Sequence, residues 1–173
     1  MACSGLSSGG AKRRKRYHPG VSRESVSEDP VLTGGPVNYR IDGKTAYVTA
    51  GAHGIGEAIA DLLTQEGASV IVADKDEAAL REKAHKWQGT LPADLATSAG
   101  VSDAVAAVMD SFGGVPDILV NNLGVGDAVP FEQISDDEWA RSIEVNLMGT
   151  VRTCRALVPK MAVRGSGAVV NTG

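Results

Sequence analysis

The residues best placed to do chemistry form a short run, Thr49-Ala50-Gly51-Ala52-His53-Gly54-Ile55-Gly56, between an apolar stretch and a helical one. Glycines in this pattern let the backbone turn tightly at a helix N-terminus. N–H groups there face outward, and the aligned peptide dipoles favour an anion. A pyrophosphate suits such a turn. Gly54 and Gly56 are expected to allow close approach, with Ala50, Gly51, His53 and Ile55 completing the loop. If position 50 requires a positive φ, its alanine costs about 1 kcal/mol or more. Asp74 follows near the offset of roughly 20 residues at which an acid accepts hydrogen bonds from a ribose. A carboxylate there also repels a 2′-phosphate, so the pattern favours NAD over NADP, with His53 and Lys75 softening the preference.

These residues need a scaffold, and from Ile41 onward the chain alternates strand and helix signals. Strands are expected at Thr45–Ala50, Ser69–Ala73, Thr90–Ala93, Ile118–Asn121 and Ala168–Asn171. The first helix is expected over Gly56–Glu66, with Ile55, Ile59 and Leu62/Leu63 on its buried face. An exposed amphipathic helix is expected over Asp76–Trp87, and a third, capped by Thr97 or Ser98, through Ser111 with Val101, Val105, Val108 and Phe112 in line. Ser135-Asp136-Asp137-Glu138 forms a capping box opening a long helical region, 136–162, whose stripe reads Trp139, Ile143, Leu147, Cys154, Leu157 and Met161. Together these predict an α/β fold, a doubly wound, Rossmann-like parallel sheet ordered 3-2-1-4-5. The sheet is expected to break off after its fifth strand, whose uncovered edge should make residues 1–173 sticky or partly unfolded.

Composition narrows the class. The 173 residues are 43% apolar and only 4% aromatic, as small side chains between helices and a parallel sheet require. Residues 1–23 hold six of the 17 bases and none of the 21 acids, leaving a charge of −10 on residues 24–173. An acidic body argues against nucleic acid as the main ligand. Residues 1–40, rich in Gly, Ser and Pro, read as a disordered basic extension. Two cysteines make no disulfide framework and point to a reducing, cytoplasmic setting. No apolar run approaches membrane-spanning length. His18, His53 and His85 have no metal-ligand spacing, so no metal is expected.

With Asn121-Asn122-Leu123-Gly124 and Ala168-Val169-Val170-Asn171-Thr172-Gly173, the glycine turn resembles the short-chain dehydrogenase/reductase family over residues 41–173. The family carries Thr-Gly-x-x-x-Gly-x-Gly at the turn and Asn-Asn-Ala-Gly after strand four, so Ala50 and Leu123 are departures. Leu123 is expected to be displaced outward. The resemblance implies that Asp94, followed by Leu95, contacts the adenine, although Asp94 also reads as an N-cap. It further implies that Asn121 and Asn122 tie strands together beside the nucleotide. Asn146 matches a buried helical Asn of the catalytic machinery.

The implied activity is hydride transfer between a nicotinamide and an alcohol or carbonyl substrate, in a full-length homo-oligomer. A catalytic Ser and a Tyr-x-x-x-Lys follow this point in the family. The chain therefore reads as the cofactor-binding part, with no turnover expected from residues 1–173 alone. The alternatives are a non-catalytic nucleotide-binding or dimerising remnant and an S-adenosylmethionine-dependent methyltransferase; the latter has no need of Asn121-Asn122 or Asn146.

Overall fold

A computed structural model of the chain describes residues 39–126 and 129–172. The expected N-terminal extension, but for its last two residues, lies outside them. Five parallel strands, β1 (Thr45–Thr49), β2 (Ser69–Asp74), β3 (Gly89–Pro92), β4 (Ile118–Asn121) and β5 (Ala168–Asn171), form one sheet. Their order is β3-β2-β1-β4-β5, the order expected. Successive side chains of a strand point to opposite faces, so β1 feeds two cores. Ala46 and Val48 join Val70, Val72, Ala60, Leu80 and Trp87 on one face. Tyr47 joins Ile71, Leu119, Val101, Val108 and Leu157 on the other.

The helices are α1 (Gly54–Gln65), α2 (Glu77–Lys83), α3 (Ser98–Phe112), α4 (Asp136–Ser142) and α5 (Gly149–Arg164). Helix α1 begins two residues earlier than expected, and only part of its expected face turns inward, Ile59 and Leu63 packing against the core. Gly56 and Ala60 are its buried residues, while Ile55 is 70% and Leu62 54% exposed. Close contact with the sheet selects small side chains here. A Cβ on Gly56 would lie 2.4 Å from the Ala50 carbonyl oxygen. Helix α2 is shorter than expected because residues 84–86 tighten into a 3₁₀ turn. It is not simply exposed: Ala79, Leu80 and, beyond the turn, Trp87 are buried.

The Ser135 capping box forms as expected. The helical region it opens is not uniform, since Ile143–Met148 is a π-helical turn between α4 and α5. That insertion shifts the phase of the side chains. Buried positions run Val145, Gly149, Thr153, Leu157 and Met161, whereas Trp139, Ile143 and Leu147 are 44–55% exposed. The expected single stripe is therefore broken in two. No helix among the described residues is long and apolar enough to cross a membrane.

Candidate nucleotide-binding site

The C-terminal ends of β1, β2, β3 and β4 open onto one cleft of about 960 Å³. In a parallel α/β sheet this end collects ligands, because loops and helix N-termini converge there. The cleft is lined by Ala50, His53, Ile55, Asp74, Asp94 and Leu95, and on its other wall by Asn122, Leu123 and Gly124. Nine of the expected site residues are thus brought together. Gly51, Gly56 and Asn121 lie behind this surface as its supports, and Gly54 at the turn.

The glycines divide the work. Ala50 adopts φ +50°, so the strained conformation foreseen for that position is present. Gly51 allows the strands to close up, since a Cβ there would stand 2.7 Å from Val72 Cγ1. Gly54 has φ +55° with nothing within 4 Å of an added Cβ, so conformation rather than space calls for glycine. Helix α1 has no side-chain cap on its N-terminus, with His53 in extended conformation at the N-cap. Among the described residues its first-turn N–H groups have no side-chain acceptor, which leaves them for an anion. Lys83 donates to the Ala52 carbonyl at 2.6 Å and to Glu57 at 2.7 Å, fixing the turn from the side of α2. Hydrogen bonds from Lys83 and Lys86 hold the Glu57 carboxyl down at about 2.

Asp74 is 8% exposed, and both its oxygens are oriented by backbone. Ala52 N–H donates to Oδ2 at 3.1 Å and Asp76 N–H to Oδ1 at 3.0 Å. The carboxylate is thereby locked at the cleft with lone pairs to spare. Asp94 is not the cap of α3. Thr97 accepts from Gly100 N–H at 3.0 Å instead, and Asp94 accepts from Ala96 N–H at 3.1 Å. Its carboxylate thus orders the loop carrying Leu95.

Thr49 links the turn to β4. Its hydroxyl donates to Val120 O and accepts from the N–H groups of Asn122 and Leu123. Asn122 donates to the Ala50 carbonyl at 3.0 Å and accepts from Thr172 at 2.9 Å. Asn121, 1% exposed, donates to Asn171 at 2.8 Å across β4 and β5 and to Cys154 Sγ at 3.3 Å. Leu123 is not displaced outward. Half-buried, it packs against the core beside Gly149, where a Cβ would meet Leu123 Cδ2 at 2.6 Å.

Asn146 is not buried. It lies exposed on the π turn and clamps Val125: its Nδ2 donates to Val125 O at 3.0 Å, and Val125 N–H donates to its Oδ1 at 2.7 Å. The phase shift of the π turn gives the inward position to Val145 instead.

Several residues of the site carried no motif. Arg152 donates to the Ala96 carbonyl at 2.9 Å and pairs with Glu144, closing the far wall near Leu95. Asp76 and Lys83 were visible in the sequence only as polar residues of a helix. Their reach back to the glycine turn depends on how α1 and α2 lie side by side.

The family model for "short chain dehydrogenase" matches residues 44–173. The D-threitol dehydrogenase of Mycolicibacterium smegmatis is 37% identical over 140 residues, covering 78% of this chain and 54% of that protein. The D-beta-hydroxybutyrate dehydrogenase of Rhizobium meliloti is 37% identical over 136 residues, covering 74% and 52%. Among solved structures, the L-sorbose reductase of Gluconobacter frateurii, complexed with NADPH and L-sorbose, superposes with a TM-score of 0.71. It is 36% identical, with 76% of this chain and 52% of that one covered. The chain spans about half the length of the curated relatives it matches.

Proposed function

The chain belongs to the short-chain dehydrogenase family, and on that premise we propose that residues 41–173 are the nucleotide-binding part of an oxidoreductase. Its reaction is reversible hydride transfer between a nicotinamide cofactor and a small alcohol or carbonyl substrate. The observation that carries this reading is the uncapped N-terminus of α1 facing the same cleft as the locked Asp74 carboxylate. The uncapped first-turn N–H groups and the open space over Gly54 fit a pyrophosphate. Asp74 fits the hydroxyls of an unphosphorylated ribose, which supports NAD ahead of NADP. Asp94 and Leu95 serve the adenine end, and Asn122 holds the turn at Ala50. When bound, the nicotinamide supplies or accepts the hydride. Asn146 orders the chain at Val125, just beyond Gly124.

Residues 1–173 contain no Tyr-x-x-x-Lys, so the proposed role of this stretch by itself is binding without turnover. The exposed apolar row Trp139, Ile143 and Leu147 supports self-association of the whole protein. The cysteine usage supports a cytoplasmic setting. Calorimetric titration of the folded chain with NADH tests the reading. One NADH per chain is expected, with no oxidation of it by carbonyl compounds. A folded chain that takes neither NADH nor NADPH would overturn the assignment.

A further inference from the structure

His53 and Asp76 form a pair that the cofactor assignment does not use. The imidazole Nε2 lies 2.9 Å from Asp76 Oδ2. His53 is the N-cap residue of α1 and Asp76 that of α2, so the pair bridges the two helix starts that flank Asp74. Asp76 cannot drift from this place. Its Oδ1 accepts from Ala79 N–H at 3.0 Å and its own N–H donates to Asp74 at 3.0 Å. The remaining neighbours are committed or few. Lys83 and Glu57 satisfy each other on the α1–α2 side, and Lys75 lines the cleft with no ion pair among the described residues. The ribose corner therefore holds two fixed carboxylates, one imidazole and one ammonium.

We propose that Asp76 is a specificity-determining residue of the nucleotide site, acting through His53 and resting on the cofactor reading above. By taking up the imidazole, Asp76 cancels the positive charge that His53 would otherwise offer a ribose 2′-phosphate. Discrimination against the phosphorylated cofactor then depends on Asp76 as well as on Asp74. Hydrogen bonds from Ala79 N–H and His53 hold the Asp76 carboxyl below its ordinary range, so it stays anionic at neutral pH.

The test measures the affinities of NADH and NADPH for the chain by calorimetry at mildly acidic pH. Asp76→Asn removes the charge while keeping an oxygen for the Ala79 N–H, so the cap on α2 survives. A unit charge within roughly 7 Å of a dianion in water is worth about a five- to tenfold change. The NADPH-to-NADH affinity ratio should rise by that factor in Asp76→Asn, and likewise in Asp76→Ser, which also keeps a cap. Adding His53→Ala to Asp76→Asn should abolish most of the gain, while His53→Ala alone, which leaves the Asp76 carboxylate uncompensated, should lower the ratio.

If both nucleotides bind and neither Asp76 variant shifts the ratio beyond twofold, the role of Asp76 is refuted and the nucleotide site stands. A gain that persists without His53 refutes action through the imidazole. Loss of binding of both nucleotides in the unaltered chain overturns the nucleotide site and this proposal with it. Circular dichroism melts confirm that each variant folds.

Discussion

Replacing Ala50 by glycine should stabilise this protein, the reverse of what such a change does in a regular element. Ala50 sits at φ +50°, where its Cβ crowds the following carbonyl. For an L-residue that conformation costs about 1–2 kcal/mol, and glycine adopts it freely. Against this, glycine widens the unfolded ensemble and costs about 0.4–1 kcal/mol. The balance favours Ala50→Gly by about 0.5–1 kcal/mol. For a domain of this size that corresponds to a rise in Tm of roughly 2–4 °C. Ala60→Gly is the matched control. It lies fully buried inside α1, where helix propensity alone predicts a loss of about 1 kcal/mol. Urea titration followed by circular dichroism gives both values on one scale. Equal destabilisation of the two variants would refute the claim that the turn is strained at position 50.

The remaining predictions concern other supports of the cleft. Gly56→Ala should destabilise by about 1–3 kcal/mol and impair nucleotide binding, since its Cβ would lie 2.4 Å from Ala50 O and 2.5 Å from Asn122 Nδ2; unchanged urea midpoint and NADH affinity would contradict this packing. Tyr47 is fully buried, its hydroxyl has no partner among the described residues, and burial raises its pKa. Tyr47→Phe should therefore be neutral or stabilise by up to about 1 kcal/mol, whereas a loss above about 1 kcal/mol would mean that a bound water satisfies the hydroxyl. The Glu57 carboxyl is held at about 2 against an unfolded value of 4.5. Its contribution is complete above pH 4.5 and lost as pH falls toward 2, so Glu57→Gln should flatten the decline of Tm across that window. A decline as steep as in the unaltered chain would remove Lys83 and Lys86 as its cause.

How much of this was legible in the sequence depended on whether the deciding forces were local. The bounds of β4 and β5 and the Ser135 capping box matched expectation, because each is fixed by residues within a few positions of itself. The glycine turn was legible for the same reason, and so was the strained Ala50. Helix faces were less so. Hydrophobicity put Ile59 and Leu63 inward, where they pack against the core, but also Ile55 and Leu62, which are exposed. The closest approach of α1 to the sheet buries Gly56 and Ala60. Large apolar side chains announce burial poorly where two backbones nearly touch.

The two errors at the other wall of the cleft share one physical origin. An extra residue in the π turn rotates everything before it by about 100° relative to everything after. Trp139, Ile143 and Leu147 then leave the stripe that Leu157 and Met161 complete, and Asn146 leaves the interior. The same turn delivers Gly149 to Leu123, the space that lets the larger residue follow β4 without closing the cleft. It also sets Asn146 against Val125, so the loop after Gly124 is held by the amide at both N–H and C=O. An Asn146→Ala change should therefore release that loop while leaving the sheet intact. Hydrogen exchange gives the decisive readout: faster exchange at Val125 with unchanged protection in β1 and β4 supports the clamp, and uniform loss of protection would show Asn146 to be a fold residue instead.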